Sequence, residues 1–459
     1  MKNLKVKIYT LGCKVNQYDS GRLAAELESA GFVIAKKAAD LAIINSCAVT
    51  KAAMTKSGRM IKLARKENPE AKVVLVGCWT RAGKDLGELA GVDLVLKTAD
   101  VKKIVREIAS SPDYRLLAMT ENESKRLNLQ FGGSTSRARY FIKIQDGCEQ
   151  FCAYCIVPYT RGKLKSRAER EVIDEIRQAA AGYEEIVLSG IHLGMYGKDS
   201  TTNNAQRVTL KNLDSRLRPP RLRSGPPRLG EAGETGGNDK NKMAARNDSL
   251  ASLIKKILKI PGLGRIRLSS IEITEVSDQL IKLMARSGKI CRHLHLPLQS
   301  GCDKILKSMN RPYDTKYFKN KIARLKRAMP DMAITTDVIA GFPGETEKDF
   351  RETEKFIKQI KFSRLHVFPF SAHAQTPAAK MTGQVDKKTK IRRAEILRQL
   401  GVKLADEYRK KFRGRELDAV VERINGRKLI GKTEYYFDVE AEIKQNKNNL
   451  IGKIVKVKF

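Results

Sequence analysis

Short apolar runs alternate with helical patterns through most of this chain, and that alternation restricts the fold more than any other feature. Residues 6–11 read as a strand. Leu23, Leu27 and Ala30 then share one helix face, for which Asp19-Ser20 offers a cap. Apolar runs at 41–44, 73–76 and 94–96 follow. A strand apolar on both faces must be covered on both. Such runs separated by helices therefore predict a parallel α/β sheet over residues 1–115. A second, longer alternation fills residues 134–400, with strand candidates at 140–145, 185–188, 265–270, 293–296, 334–339 and 365–368. Six βα units predict an open, partial version of the parallel barrel, with its site at the strand C-termini.

Two segments depart from this rhythm. Residues 197–247 are dominated by Gly, Pro, Asn and Arg and keep no period. They read as a disordered basic insertion after the second core strand, either touching RNA through its arginines or tolerated on the surface. Residues 413–459 turn to short β-like runs at 417–421, 435–443 and 451–457. A small all-β barrel of the oligonucleotide-binding kind suits them.

Charge narrows the partners. Lys and Arg total 89 against 51 acids, a formal net charge of +38. Such a surplus points to a polyanion, RNA or DNA, or to an anionic membrane surface. No run of about 18 apolar residues supports a membrane span, and Met1 to Lys5 leads straight into a strand without a signal-peptide pattern. Eight cysteines are too few for a disulfide scaffold in 459 residues, so a reducing, cytoplasmic setting is expected.

Six of those cysteines are placed for chemistry. Cys148, Cys152 and Cys155 form a C-x3-C-x2-C triplet just after the first core strand. Three thiolates on one loop can hold three corners of a four-iron cluster and leave one iron open; a structural zinc with a further Cys or His is the alternative. Cys13, Cys47 and Cys78 each follow one strand of the first sheet, about 30 residues apart. Ligands of open parallel sheets bind beyond the strand C-termini, so these three can converge on a second metal site. Three unrelated buried thiols are the alternative. Cys291 and Cys302 lack strand-end placement and read as ordinary thiols, and His293 and His295 as structural or lining groups.

These residues together resemble the radical S-adenosylmethionine (SAM) methylthiotransferases, nearly end to end. The triplet with Tyr154 before its last Cys looks like the radical SAM signature, and Cys13, Cys47 and Cys78 look like the ligands of that family's auxiliary cluster. The last segment is similar to a TRAM RNA-binding domain, though short for one, and the insertion at 197–247 departs from the family pattern. The stretches Thr10-Leu11-Gly12-Cys13-Lys14-Val15-Asn16-Gln17, Asn45-Ser46-Cys47-Ala48-Val49-Thr50 and Cys155-Ile156-Val157-Pro158-Tyr159 look most like the MtaB-like branch. That branch methylthiolates carbon 2 of N6-threonylcarbamoyladenosine beside the tRNA anticodon; others act on isopentenyladenosine or on a ribosomal-protein aspartate.

Several expectations follow from the resemblance. It implies two 4Fe-4S clusters and SAM, one SAM held at the Cys148, Cys152, Cys155 cluster as radical source and one serving as methyl donor. Carbon 2 of adenine carries an unactivated C–H bond that no side-chain base usefully deprotonates, so the hard step falls to a cofactor. It also implies the tRNA anticodon loop as substrate, an electron donor such as flavodoxin or ferredoxin, and a sulfur source. The SAM cradle is expected from Ser189 and Gly190 after the second core strand, Ser270 and Glu272 after the third, Gln299 after the fourth, and Ile339 and Gly341 after the fifth, with Tyr154 beside them. Each of these also serves as an ordinary cap or turn residue. From another class, a non-catalytic RNA-binding protein with zinc at both cysteine sets would be colourless and bind no SAM.

Overall fold

The computed structural model describes residues 4–82, 89–98, 100–110, 138–199, 249–442 and 450–459. The first sheet is parallel throughout, in the order β2-β1-β3-β4-β5, with β1 Lys5–Thr10, β2 Val33–Ile34, β3 Leu41–Ser46, β4 Lys72–Gly77 and β5 Leu94–Val95. All of β3 is buried, and its side chains alternate between two cores. Leu41 and Ile43 pack with Leu23, Leu27 and Ile104 on one face; Ala42 and Ile44 pack with Ile61 and Ala64 on the other. Period-two alternation thus explains why this strand is apolar without a break. The first helix, Lys14–Ser29, begins five residues before the expected cap at Asp19-Ser20. Those two side chains have other work: Asp19 accepts from Lys143 and Arg161, while Ser20 accepts from Thr10 and Asn45.

The second region has the six parallel strands expected. These are β6 Tyr140–Asp146, β8 Glu185–Gly190, β9 Arg265–Leu268, β10 His293–His295, β11 Ala333–Ala340 and β12 Arg364–Pro369. Single bridges, Ile266 to Ile290 and Ser270 to His295, carry the sheet across from β9 to β10. The sheet is therefore a curved, open barrel, whose helices pack outside it on a large apolar core that includes Phe318, Phe350 and Phe362. A short strand missed in the sequence, β7 Lys165–Ser166, pairs antiparallel with the end of β6. The expected insertion at 197–247 lies outside the described residues from 200 onward. Its first part is ordered: Gly197 N donates to Ser166 Oγ (2.8 Å), and Asp199 Oδ2 accepts from Ser166 N (2.9 Å). The helix Lys387–Lys410 packs on β11 and β12 and runs past residue 400, the expected limit of this region.

The C-terminal sheet is antiparallel, in the order β15-β14-β13-β16, with β13 Glu416–Asn425, β14 Lys428–Thr433, β15 Asp438–Glu442 and β16 Ile454–Lys458. The run 435–443, expected as one strand, is divided. Tyr435 to Phe437 make the turn after β14, with Tyr436 at φ +69°, and residue 443 lies outside the described residues. This sheet caps one end of the barrel. Arg265 donates to Asp418 O and Lys432 O, and Arg267 to Thr433 O and Glu434 O. Glu185 lies fully buried between the two arginines. Burial opposes its charge, but Arg267 and Arg265 outweigh that and hold its carboxyl down at about 2.

Candidate active site

The N-terminal cysteines stand side by side at the ends of adjacent strands. Cys13 caps the helix Lys14–Ser29 just beyond β1, Cys47 follows β3, and Cys78 opens a short helix directly after β4. Gly12 lets the chain pass close by. At φ +98°, a Cβ there would stand 3.0 Å from both Cβ and Sγ of Cys47. Asn16 fastens the strand ends, its Nδ2 donating to Leu11 O (2.8 Å) and Ser46 O (3.0 Å). Cys47 N donates to Ser57 Oγ (3.2 Å). Cys47 and Cys78 are buried, whereas Cys13 is exposed, so the set opens outward on one side. Burial pushes the Cys47 thiol up to about 11.

The triplet is held just as firmly, by different means. Cys148 N donates to Gly162 O and Ala153 N to Met309 O, each 3.0 Å, and Ala378 N donates to Ala153 O (2.8 Å). Two side chains reach its sulfurs. Arg311 Nη1 donates to Cys152 Sγ at 3.2 Å, while its Nη2 pairs with Glu272. His192 Nδ1 lies 3.5 Å from Cys148 Sγ, and its Nε2 lies 2.5 Å from Glu275 Oε1. Burial lowers the His192 pKa, but its bonds with Cys148 and Glu275 win and raise it to about 10. His192 and Arg311 had no place in the sequence reading. The signal for His192 was available, because it lies two residues beyond the end of β8; Arg311 follows a helix and carries no strand-end mark.

One arginine joins the two sets. Arg161 ends the helix Val157–Arg161 that follows Cys155, and its side chain is only 1% exposed. Its Nε donates to Cys78 Sγ at 3.3 Å, and its Nη1 to Asp19 (2.8 Å) and Asp146 (3.1 Å). Its Nη2 meets Asn16 Oδ1. The segment carrying the triplet thus supplies a donor to the other set.

The expected SAM residues divide. Tyr154 and Ile339 join one apolar cluster with Phe342 and Phe370, and Tyr154 OH accepts from Arg311 (3.5 Å). Glu272 sits on the same arginine. Ser189 is buried and donates back to Ile142 O (2.8 Å), a strand-to-strand bond. Gly190 lies against Gln145, whose Oε1 accepts from His192 N (2.7 Å). Ser270 is exposed at the end of β9. Gln299 takes φ +66°, its backbone bridging to Asp337 and Ile339. Gly341 packs against Lys390 and donates its N–H to Glu345.

The spacing of the thiols in each set suits the corners of a four-iron cluster. A tetrahedral zinc with Zn–S near 2.3 Å draws its sulfurs to about 3.8 Å apart. Among the described residues, neither set brings three thiols within 4.8 Å of one another. A four-iron cluster is larger and spreads its ligands wider. Burial also pushes the Cys155 thiol up to about 12, and a bound metal would favour its thiolate. N–H donors on the sulfurs are a protein's means of tuning such a cluster.

The model of the Radical SAM superfamily matches residues 142–357, and that of Uncharacterized protein family UPF0004 matches residues 5–97. A radical SAM methyltransferase from Kitasatospora setae, TsrM, solved with cobalamin and a 4Fe-4S cluster, shares the fold. It has a TM-score of 0.51 and 14% identity, over 83% of this chain and 77% of that one. The class is therefore that of the radical SAM enzymes, which work through a 4Fe-4S cluster and SAM. The threonylcarbamoyladenosine tRNA methylthiotransferase MtaB of Bacillus subtilis is 36% identical over 99% of this chain and 93% of its own length. Its counterpart in Thermotoga maritima is 35% identical over 94% and 90%. The tRNA-2-methylthio-N(6)-dimethylallyladenosine synthase of Carboxydothermus hydrogenoformans is 33% identical over 98% and 96%. Within that class, this chain belongs to the radical SAM methylthiotransferase family.

Proposed function

We propose that this enzyme adds a methylthio group to carbon 2 of N6-threonylcarbamoyladenosine next to the anticodon of tRNA. The observation carrying the reading is the pairing of two three-cysteine sets at strand ends, linked through Arg161. Cys148, Cys152 and Cys155 would hold the 4Fe-4S cluster of the radical step, and Cys13, Cys47 and Cys78 a second cluster for the sulfur. Bound there, the clusters and SAM supply the hydrogen abstraction and sulfur delivery that side chains cannot. The chain's own residues hold and tune that machinery. Arg311 donates to Cys152 and His192 lies against Cys148, Arg161 donates to Cys78, and Tyr154, Ile339, Phe342 and Phe370 pack with Ala153 of the triplet's own loop. The charge of +38 supports a tRNA substrate, whose loop bases are unpaired and easily presented to a pocket. A second reading, methylthiolation of dimethylallyladenosine, is supported by the Carboxydothermus relative.

Among the described residues no helix is long and apolar enough to cross a membrane. The test is nucleoside mass spectrometry of bulk tRNA from a bacterium lacking its own methylthiotransferases and expressing this chain, beside a Cys152→Ala control. The expected result is a methylthio mark on threonylcarbamoyladenosine that the control lacks. A mark on dimethylallyladenosine alone selects the second reading. No mark, with clusters loaded, refutes both.

A further inference from the structure

All three regions of the chain contribute polar side chains to one group around Tyr436. The rings of His293 and Tyr436 stack with centroids 4.2 Å apart and planes 16° from parallel. His293 Nε2 and His295 Nδ1 each lie 2.9 Å from Thr335 Oγ1, and His295 Nε2 lies 3.2 Å from Asp337. Three cations surround the Tyr436 ring, with Arg267 and Lys432 at 5.3 Å and Lys14 at 5.7 Å from its centroid. Arg267 is committed to Glu185 and Lys432 to Asp438. Lys14 differs: among the described residues it has no carboxylate within 4.0 Å. His293 Nδ1 is likewise buried without a partner among the described residues. A cavity of about 500 Å³ borders this group at Thr335 and Tyr436.

A lysine without a carboxylate partner among the described residues, and a buried imidazole nitrogen likewise without a partner, both beside an aromatic ring, suit an anionic planar group. Lys14 follows Cys13 directly, so whatever it holds lies next to the N-terminal cysteine set. We propose that Lys14 binds the carboxylate on the N6 substituent of the substrate base, and so sets which modified adenosine is accepted. The proposal rests on the threonylcarbamoyl reading above. That substituent carries a carboxylate. A dimethylallyl group carries none and would leave Lys14 unpaired, the kind of mismatch that polar sites reject most strongly.

The test uses the full chain with its clusters reconstituted. Binding is measured to synthetic anticodon stem-loops bearing threonylcarbamoyladenosine, its carboxyl methyl ester, or dimethylallyladenosine. The expected result is that the native enzyme binds the free acid about tenfold more tightly than the ester, as loss of a charged hydrogen bond implies. Lys14→Met should bring that ratio to about one with ester affinity unchanged, while Lys14→Arg keeps most of it. Should Lys14→Met fail to fold or load iron, Lys14→Gln carries the same comparison. A variant lacking the cation that still prefers the acid overturns the proposal, as does a native enzyme indifferent to acid and ester. A native enzyme that prefers the dimethylallyl stem-loop to both instead refutes the threonylcarbamoyl reading itself.

Discussion

The two cysteine sets reach similar ends by opposite routes. The triplet spans eight consecutive residues, 148–155, so its ligands are neighbours before the chain folds. Distant contacts with Gly162, Met309 and Ala378 then fix their loop. The N-terminal set draws on three strand ends about 30 residues apart and exists only once β1, β3 and β4 are in register. A local set therefore depends on the rest of the fold for its shape, and a dispersed set for its existence. The two are also unequal in their donors. The triplet has Arg311 on Cys152 and His192 against Cys148, whereas the N-terminal set has Arg81 of its own at 4.0 Å from Cys78 Sγ and takes the closer donor, Arg161 at 3.3 Å, from the triplet's side.

The strongest way to break this comparison is to empty each set in turn. With two 4Fe-4S clusters the enzyme should carry about eight irons per chain. Replacing Cys148, Cys152 and Cys155 together by Ala should leave about four, and so should replacing Cys13, Cys47 and Cys78. Both variants should yield no methylthio product. Iron analysis and absorbance after anaerobic reconstitution decide it. A triple variant that keeps its full iron would remove one of the two sites from consideration.

Arg161→Met tests the link between the sets. The change removes one of the two cations paired with Asp19 and Asp146 among the described residues, leaving Lys143, and strips Cys78 of its nearer donor, with Arg81 left at 4.0 Å. Removing one member of a buried ion network typically costs about 3 to 5 kcal/mol, which urea unfolding measures directly. Iron should be lost from the N-terminal set before the triplet. A loss under about 0.5 kcal/mol, the scale of an ordinary surface change, would mean that the two sets are held independently.

Much of this was legible in the sequence, for physical reasons. Continuous apolar runs such as 41–44 can satisfy two buried faces only inside a parallel sheet, so both strand series were readable. The six cysteines were readable because position after a strand is a sequence property. Arg161, Arg311 and Asn16 were not, since their importance comes from long side chains reaching across the fold. The strand Lys428–Thr433 escaped because Lys, Gly and Thr interrupt its apolar pattern, and Tyr436 read as part of a strand although it turns the chain. Ser189 shows what strand-end position leaves out: its hydroxyl also donates across the sheet to Ile142 O, a bond no sequence pattern announces.

The finest test of the comparison compares the glycines that precede each set. Gly147 sits at φ +76°, and a Cβ there would lie 1.9 Å from Lys163 O, a backbone atom of the turn leading to β7. Nothing there yields without breaking the turn from which Cys148 projects. Gly12 is at φ +98°, but its nearest neighbours would be the Cβ and Sγ of Cys47 at 3.0 Å and Asn16 Nδ2 at 3.1 Å, all side-chain atoms able to give slightly. A left-handed conformation alone costs an L residue about 1 to 3 kcal/mol. Gly12→Ala should lie in that range, and Gly147→Ala should exceed it because the clash adds to the strain. Urea denaturation of the two variants gives the order, and iron content should follow it, with the triplet emptied in Gly147→Ala and the N-terminal set weakened in Gly12→Ala. Equal losses would mean that the local set is no more rigidly framed than the dispersed one.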